Sequence, residues 1–281
     1  MSGFEQVSQE LNALLSAGLA LSVVIVAYQF RLLTLGGATI AFVLGWLIFG
    51  LGGWQFSLPI VVFFGLSSLL SRVGRQKKAH LSPPAQKPDP RSASQVMANG
   101  FIPSLVLLCW SLVGKPALVY AYLAAIAAAN ADTWATEIGM LAKGNPRSIL
   151  TLRPVTTGES GGVSHLGTAA ALLGALTIAA TGFALWQRLP GRPFSLQDLL
   201  VVTAAGLMAQ AVDSLLGATV QAKYLCQACG RTAESPSHCP GAEVSLRSGL
   251  PAINNDWVNL LANAFAAFSA WSWFEMFGRK V

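Results

Sequence analysis

Residues 116–141 read PALVYAYLAAIAAANADTWATEIGML, an apolar and small-residue run that ends in Asn130, Asp132, Thr133, Thr136 and Glu137. A helix rising about 1.5 Å per residue needs roughly 20 such residues to cross a bilayer core. The run is long enough, and its polar end demands an explanation, because ionisable groups are expensive inside a membrane. Similar apolar blocks lie on both sides of it. Leu11–Tyr28, Leu35–Leu51 and Phe56–Leu70 precede, then Gln95–Val113; Val163–Trp186, Leu196–Val220 and Asp256–Phe277 follow. Gly114-Lys115-Pro116 separates two of the blocks, Gly stopping one helix and Pro starting the next. The expectation is an all-α, polytopic transmembrane bundle of eight helices, or seven if Gln95–Val113 enters the bilayer only in part.

Composition agrees. Of 281 residues, 53% are hydrophobic and 11% charged, against about 25% charged in soluble domains. The net charge of +6 does not point to nucleic acid, because Lys and Arg sit in short loops between apolar blocks. On alternating sides of an eight-helix bundle, one face receives Arg31, Arg72, Arg75, Lys77, Lys78, Lys87, Arg91, Lys143, Arg147, Arg153, Lys223, Arg231 and Arg247. The other receives Lys115, Arg188, Arg192, Arg279 and Lys280. The positive-inside rule then places the first face in the cytoplasm and the N-terminus outside. Residues 1–10 carry Glu5 and Glu10 without Lys or Arg, the wrong charge for a cleavable signal peptide. Residues 1–281 read as a single membrane domain with three notable connections. These are a basic, Pro-containing loop at 72–94, a Gly/Ser/Thr-rich loop at 142–162 and a Cys-containing loop at 221–255.

Polar residues concentrate at the helix ends on the basic face. At about 100° per residue, Asn130, Thr133 and Glu137 share one stripe, and Asp132 lies about 140° from Glu137. One site can use both acids only between helices or where the helix unwinds. Gln210, Asp213, Ser214, Gly217 and Gln221 share a face of another helix. Asn255, Asp256, Asn259 and Asn263 open the last one, where Asp256 alone would suit an N-cap. Carboxylates of this kind are hard oxygen ligands suited to Mg²⁺, with Asp132, Glu137, Asp213 and Asp256 as the candidate metal ligands. Lys143, Arg147 and Arg153 precede Thr156-Thr157-Gly158-Glu159-Ser160-Gly161-Gly162, a run read as opening the next helix and offering backbone N–H groups to phosphate. No Gly-Lys-Ser/Thr follows, so it is not a P-loop. The candidate phosphate and nucleotide ligands are therefore Lys143, Arg147, Arg153, Thr157, Gly158, Ser160, Gly161 and Gly162, with Gln95, Asn99, Asn130, Ser214, Asn255 and Asn259 from the helices. Asp132, Glu137, Asp213 and Arg153 are the candidate catalytic groups.

Cys226-x-x-Cys229 followed by His238-Cys239 is a candidate structural Zn²⁺ knuckle, with redox-sensitive thiols and unligated thiols as alternatives. Cys109 reads as inert packing. His80 and His165 have no evident Ser or Cys partner, and no nucleophile elbow occurs.

Taken in order, QVMANG, NADTWATEIGML, RPVTTGESGGVS, AVDSLLGATVQ and NNDWVNLLAN resemble the family of integral membrane proteins that includes plant phytyl-phosphate kinase. The resemblance runs from Gln95 to Asn263, and NADTWATEIG is its most specific run. The Cys-x-x-Cys insertion is similar to cyanobacterial and plastid members, which sets zinc apart from the shared chemistry. The resemblance implies transfer of a phosphoryl group from CTP, or another nucleoside triphosphate, to phytyl or isoprenyl monophosphate. It also implies a cyanobacterial plasma or thylakoid membrane. A CTP-dependent cytidylyltransferase and a lipid or ion transporter are the competing readings. No nucleic acid is expected as a partner.

Overall fold

The computed structural model describes residues 3–72, 90–187, 193–236, 239 and 241–278, and of 3–9 the backbone only. Seven helices run through these residues: α1 (Gly3–Gln29), α2 (Leu35–Arg72), α3 (Ala93–Val113), α4 (Ala117–Gly139), α5 (His165–Leu185), α6 (Leu196–Thr219) and α7 (Asn255–Phe277). Arg75, Lys77, Lys78 and Lys87 of the basic loop lie outside the described residues, as do His80, Arg188, Arg192, His238, Arg279 and Lys280.

The eight-helix expectation differs from this count at one place. Leu35–Leu51 and Phe56–Leu70 are joined in α2, whose 38 residues would span about 57 Å if straight. They do not run straight. Gly53 has φ 61° and ψ −162°, a conformation that is essentially glycine's alone. Phe64 packs in the same cluster as Ala38 and Phe42, although Ala38 would lie about 39 Å away along an unbroken helix. The helix therefore folds back at Gly53, and its two arms serve as the two expected spans.

Local signals set the other ends. Ser92 and Gln95 form a reciprocal capping box at the start of α3, and Gly114 closes that helix in the left-handed region. Pro116 opens α4, so the Gly-Lys-Pro turn is where the sequence puts it. Ser195 and Asp198 cap α6 in the same way. At α7 the cap is Asn254, whose side chain accepts from the Trp257 amide. Asp256 is consequently a first-turn residue and not the N-cap it was suited to be.

Helix α4 is the axis of the bundle, packed by α2, α3, α5, α6 and α7. Every residue from Val119 to Ala131 is buried, and most are alanines, which let neighbouring helices approach closely. Gly206 of α6 sits where a Cβ would come 2.9 Å from Ala127. Five helices are long and apolar enough to cross a membrane by length and composition, namely α1, α2, α3, α5 and α6. Helix α4 needs less apolarity because protein shields it from lipid. Asn130 fastens it midway: the Ser67 hydroxyl donates to its Oδ1 (3.1 Å), and its amide donates to the Gly174 carbonyl (2.8 Å). Outward faces carry large apolar residues such as Leu14, Leu112, Leu173 and Phe268, as expected against lipid.

The ends sort by charge. Arg31, Arg72, Arg91, Lys143, Arg147, Arg153, Lys223, Arg231 and Arg247 lie at one end of the bundle. Among the described residues Lys115 is the basic group at the other, 3.6 Å from Glu275 of α7.

The connections at the basic end are not the plain loops expected. In the first, β1 (Arg147–Ser148) pairs antiparallel with β2 (Gly162–Val163). In the second, β3 (Lys223–Cys226), β4 (Thr232–Ala233) and β5 (Val244–Ser248) form an antiparallel sheet in the order β4-β3-β5. Strands this short carry too little period-2 pattern to be seen in sequence.

Candidate functional site

At the basic end the last two turns of α4 and the C-terminal half of α6 line a cavity of about 340 Å³, within the range of small-ligand sites. The 157–164 segment and the first turn of α5 complete its wall. Asp132, Thr133, Thr136 and Glu137 enter from α4, and Gln210, Asp213 and Ser214 from α6. Gln221 and Glu234 close it from the sheet side, and Asn255 from the start of α7. The 140° between Asp132 and Glu137 is resolved without unwinding α4, because the cavity wraps around the end of that helix.

The acids are crowded. Asp213 lies within electrostatic reach of both Asp132 and Glu234, and its Oδ2 is buried with no hydrogen-bond partner. Ser71 of α2 donates to Glu137 (2.6 Å), which also attracts Arg91. Glu234 reaches solvent through the cavity, yet the protein packed round it desolvates its carboxyl and raises its pKa. The Ser160 hydroxyl, Lys223 and Gln221 oppose that rise. Burial lowers the Lys223 pKa, partly offset by Glu159 and Glu234.

The Gly-rich segment is held against α6 rather than free. Gly161 abuts Ala218, and Gly217 leaves room for the Gly161 amide. Ser160 is a hub: its hydroxyl donates to Glu234 and accepts from the Gln221 amide (2.9 Å), while its carbonyl accepts from Lys223 Nζ (2.7 Å). The run does not open α5 directly, as the sequence suggested. Strand β2 intervenes, and the Ser164 side chain takes the Gly167 amide as the helix cap. Two of the segment's own N–H groups are spent internally, Glu159 to Thr156 and Gly162 to Glu159.

Of the sequence candidates, Asp132, Glu137, Asp213, Thr157, Gly158, Ser160, Gly161, Gly162, Ser214 and Asn255 line the cavity. Lys143, Arg147 and Arg153 do not. All three are exposed, and the Arg147 guanidinium turns back to the Leu152 carbonyl (3.1 Å). Asn130 is spent on the interhelical clasp. Asp256 and Asn259 stand off the lining, Asn259 with a buried, unpartnered Oδ1. Gln95 and Asn99 instead border an apolar groove of about 120 Å³ between α1, the arms of α2, and α3. Glu234 was not a sequence candidate. Neither were Lys223 and Arg91, beyond their places in the charge count; the Arg91 guanidinium lies 5.5 and 5.3 Å from the Phe63 and Phe64 rings.

Beside the cavity, the Sγ atoms of Cys226, Cys229 and Cys239 lie within 4.8 Å of one another. The Cys229 backbone N–H lowers the Cys226 thiol to about 7, and hydrogen bonding with Cys226 raises Cys239 to about 11.

A family model of integral membrane proteins, DUF92, matches residues 18–267, which takes in the C-terminal part of α1 and the whole cavity. The chain belongs to that family. This agrees with the family its sequence runs resemble. The chain is 30% identical to Protein PGR of Arabidopsis thaliana over 261 residues, 86% of this chain and 89% of that protein. It is 33% identical to an uncharacterized membrane protein of Methanocaldococcus jannaschii over 189 residues, 64% and 71% of the two chains. An uncharacterized membrane protein of Synechocystis is 28% identical over 197 residues, 69% and 74%. No solved structure matches.

Proposed function

We propose that this DUF92 protein is a membrane phosphotransferase, moving the γ-phosphoryl group of CTP or another nucleoside triphosphate onto phytyl or a related isoprenyl monophosphate. The observation that carries the reading is the crowd of Asp132, Asp213 and Glu234 in one cavity, with Asp213 Oδ2 unpartnered. Three carboxylates that close repel one another, and an orphaned buried oxygen costs roughly 1–3 kcal/mol or more. A divalent cation relieves both. The donors are all oxygen, which suits Mg²⁺. Asp132, Asp213 and Glu234 would hold it, with Glu137 at the same cavity, and it would neutralise phosphate charge.

In the reaction an acceptor phosphate oxygen forms the new P–O bond to the γ-phosphorus. The bond from the γ-phosphorus to the β–γ bridging oxygen breaks, and the nucleoside diphosphate leaves with that pair. The acceptor is already an anion, so no general base is required, and catalysis is positioning and charge stabilisation. Asn255, Ser214 and Thr157 border the cavity as hydrogen-bonding groups for phosphate. Lys143, Arg147 and Arg153, exposed at the same end of the bundle, would steer the soluble triphosphate toward the cavity. The isoprenyl tail would occupy the groove between α1, α2 and α3. Arg91, Gln95 and Asn99 at that groove stand beside its apolar wall, and Arg91 is the cation that feels Glu137 of the cavity. The basic end would face the cytoplasm, in a cyanobacterial plasma or thylakoid membrane.

Purified protein with Mg²⁺ and phytyl monophosphate is expected to form phytyl diphosphate and release a nucleoside diphosphate. Running CTP, ATP, UTP and GTP in parallel identifies the donor. Shorter prenyl monophosphates should show a higher KM as groove contact is lost. Sealed inside-out vesicles should use added nucleotide, and right-side-out vesicles should not. Absence of lipid diphosphate with every nucleotide would overturn the proposal, and activity from the opposite vesicle face would overturn the orientation.

A further inference from the structure

We propose that Cys226, Cys229 and Cys239 bind one Zn²⁺, and that this metal fixes the strand that carries Glu234 into the cavity. The site is built from this chain's residues and does not depend on which reaction the cavity performs.

Sulfurs around a tetrahedral Zn²⁺ lie about 3.8 Å apart when each Zn–S bond is about 2.3 Å. The three Sγ atoms, all within 4.8 Å of one another, need only a small inward rotation to reach that spacing. Two backbone turns aim them. Cys226-Gln-Ala-Cys229-Gly230 folds so that the Gly230 amide donates to the Cys226 carbonyl (2.9 Å), and the Cys226 amide donates to Arg231 (3.0 Å). Beyond the strand, the Ala242 amide donates to the Cys239 carbonyl (3.1 Å). All three thiols are free, and three cysteines cannot all pair as disulfides.

The sheet is tied to the Gly-rich segment through Lys223 and Glu234, but its own strands are short. Strand β4 is two residues long and pairs through Tyr224–Ala233 and Leu225–Thr232. In β5 four of five residues are exposed. Strands this short with so small a core are marginal in water, and a structural metal commonly supplies the missing stability. Glu234 follows β4 immediately and precedes Cys239 by five residues. Its position is thus pinned on one side by the ladder and on the other by the cysteine cluster. The carboxylate it delivers lines the same cavity as Asp132 and Asp213, which belong to helices and need no such support.

The full-length protein purified in detergent without chelator should carry about one zinc per chain by elemental analysis. Cys229→Ser and Cys239→Ser should each lower that content at least about tenfold. Co²⁺ in place of zinc should give thiolate charge-transfer and tetrahedral d–d absorption. Hydrogen exchange supplies the positioning readout. Removing the metal should speed exchange at the Cys226 and Gly230 amides and across 232–234, while α4 and α6 keep their protection. A Glu234→Gln variant should retain its zinc. The proposal is overturned if the protein holds no zinc even after incubation with Zn²⁺, or if two of the thiols are found as a disulfide. Bound zinc whose removal leaves exchange at 232–234 unchanged would overturn the positioning role. None of these outcomes uses turnover, so failure here is distinct from failure of the phosphotransferase reading.

Discussion

Replacing Asp213 with Asn is expected to lower kcat by about 100- to 1,000-fold or more, the cost of removing one preorganised charge from a transition state. The substitution keeps the side chain's shape, so folding should survive. Indeed, taking one negative charge from beside Asp132 and Glu234 should leave the metal-free protein at least as thermally stable as the parent. The cation response separates the two roles the residue could have. Wild-type protein should gain stability with Mg²⁺, by about 2.7 kcal/mol at a hundredfold excess over Kd, and Asp213→Asn should lose most of that gain. Thermal melts with and without Mg²⁺, set beside turnover, check both. An Asp213→Asn protein with full activity and an undiminished Mg²⁺ shift would show that Asp213 holds no metal.

Gly161→Val should be the most damaging change in the Gly-rich segment. A Cβ at this position would stand 2.5 Å from Ala218 Cβ and 2.8 Å from the Ala218 Cα and N, with φ at +82°. The backbone of α6 cannot step aside as a flexible side chain would, so the segment must lift away. Ser160 would move with it, and with Ser160 its contacts to Glu234, Gln221 and Lys223. A displacement of about 1 Å near reacting groups costs on the order of 100-fold in rate, and Gly161→Val should lose at least that. Gly158→Ala is the control. Gly158 also has a positive φ, +87°, but no atom lies within 4 Å of a Cβ built there. It should pay only backbone strain, about 1 kcal/mol, and keep activity within a few-fold. Equal activities in the two variants would remove the docking of this segment from the mechanism.

The parts of the site legible in sequence are those on helices and in the Gly-rich run 157–162. In an apolar helix an Asp or Gln has few neutral explanations, so NADTWATEIG and the Gln210–Gln221 face announced themselves by expense and periodicity. Both now line one cavity. The fold-back at Gly53 was legible too, since the apolar blocks on either side read as two helices with a short connection. Glu234 was not. It stands 21 residues beyond Asp213, in a connection without periodicity, and only the sheet brings it back over α6. Lys143, Arg147 and Arg153 show the opposite failure. Sequence proximity to the Gly-rich run put them beside the phosphates, but composition carries no direction, and the β1–β2 pairing turns the Arg147 side chain to the loop's own carbonyl. The Cys cluster was visible as spacing. Its connection to the cavity was not, because that depends on the strand between Gly230 and Cys239.

The claim that the acidic cavity transfers a terminal phosphoryl group is tested most directly with labelled CTP. Purified protein, Mg²⁺ and phytyl monophosphate should be incubated with CTP labelled at either the γ- or the α-phosphorus, with Asp132→Asn beside the parent. The γ-label should appear in lipid diphosphate, the α-label should remain in released CDP, and Asp132→Asn should move neither. Label from the α-position in the lipid would instead identify a cytidylyltransferase, and γ-label transfer undiminished in Asp132→Asn would contradict the assignment of the cavity as the site of chemistry.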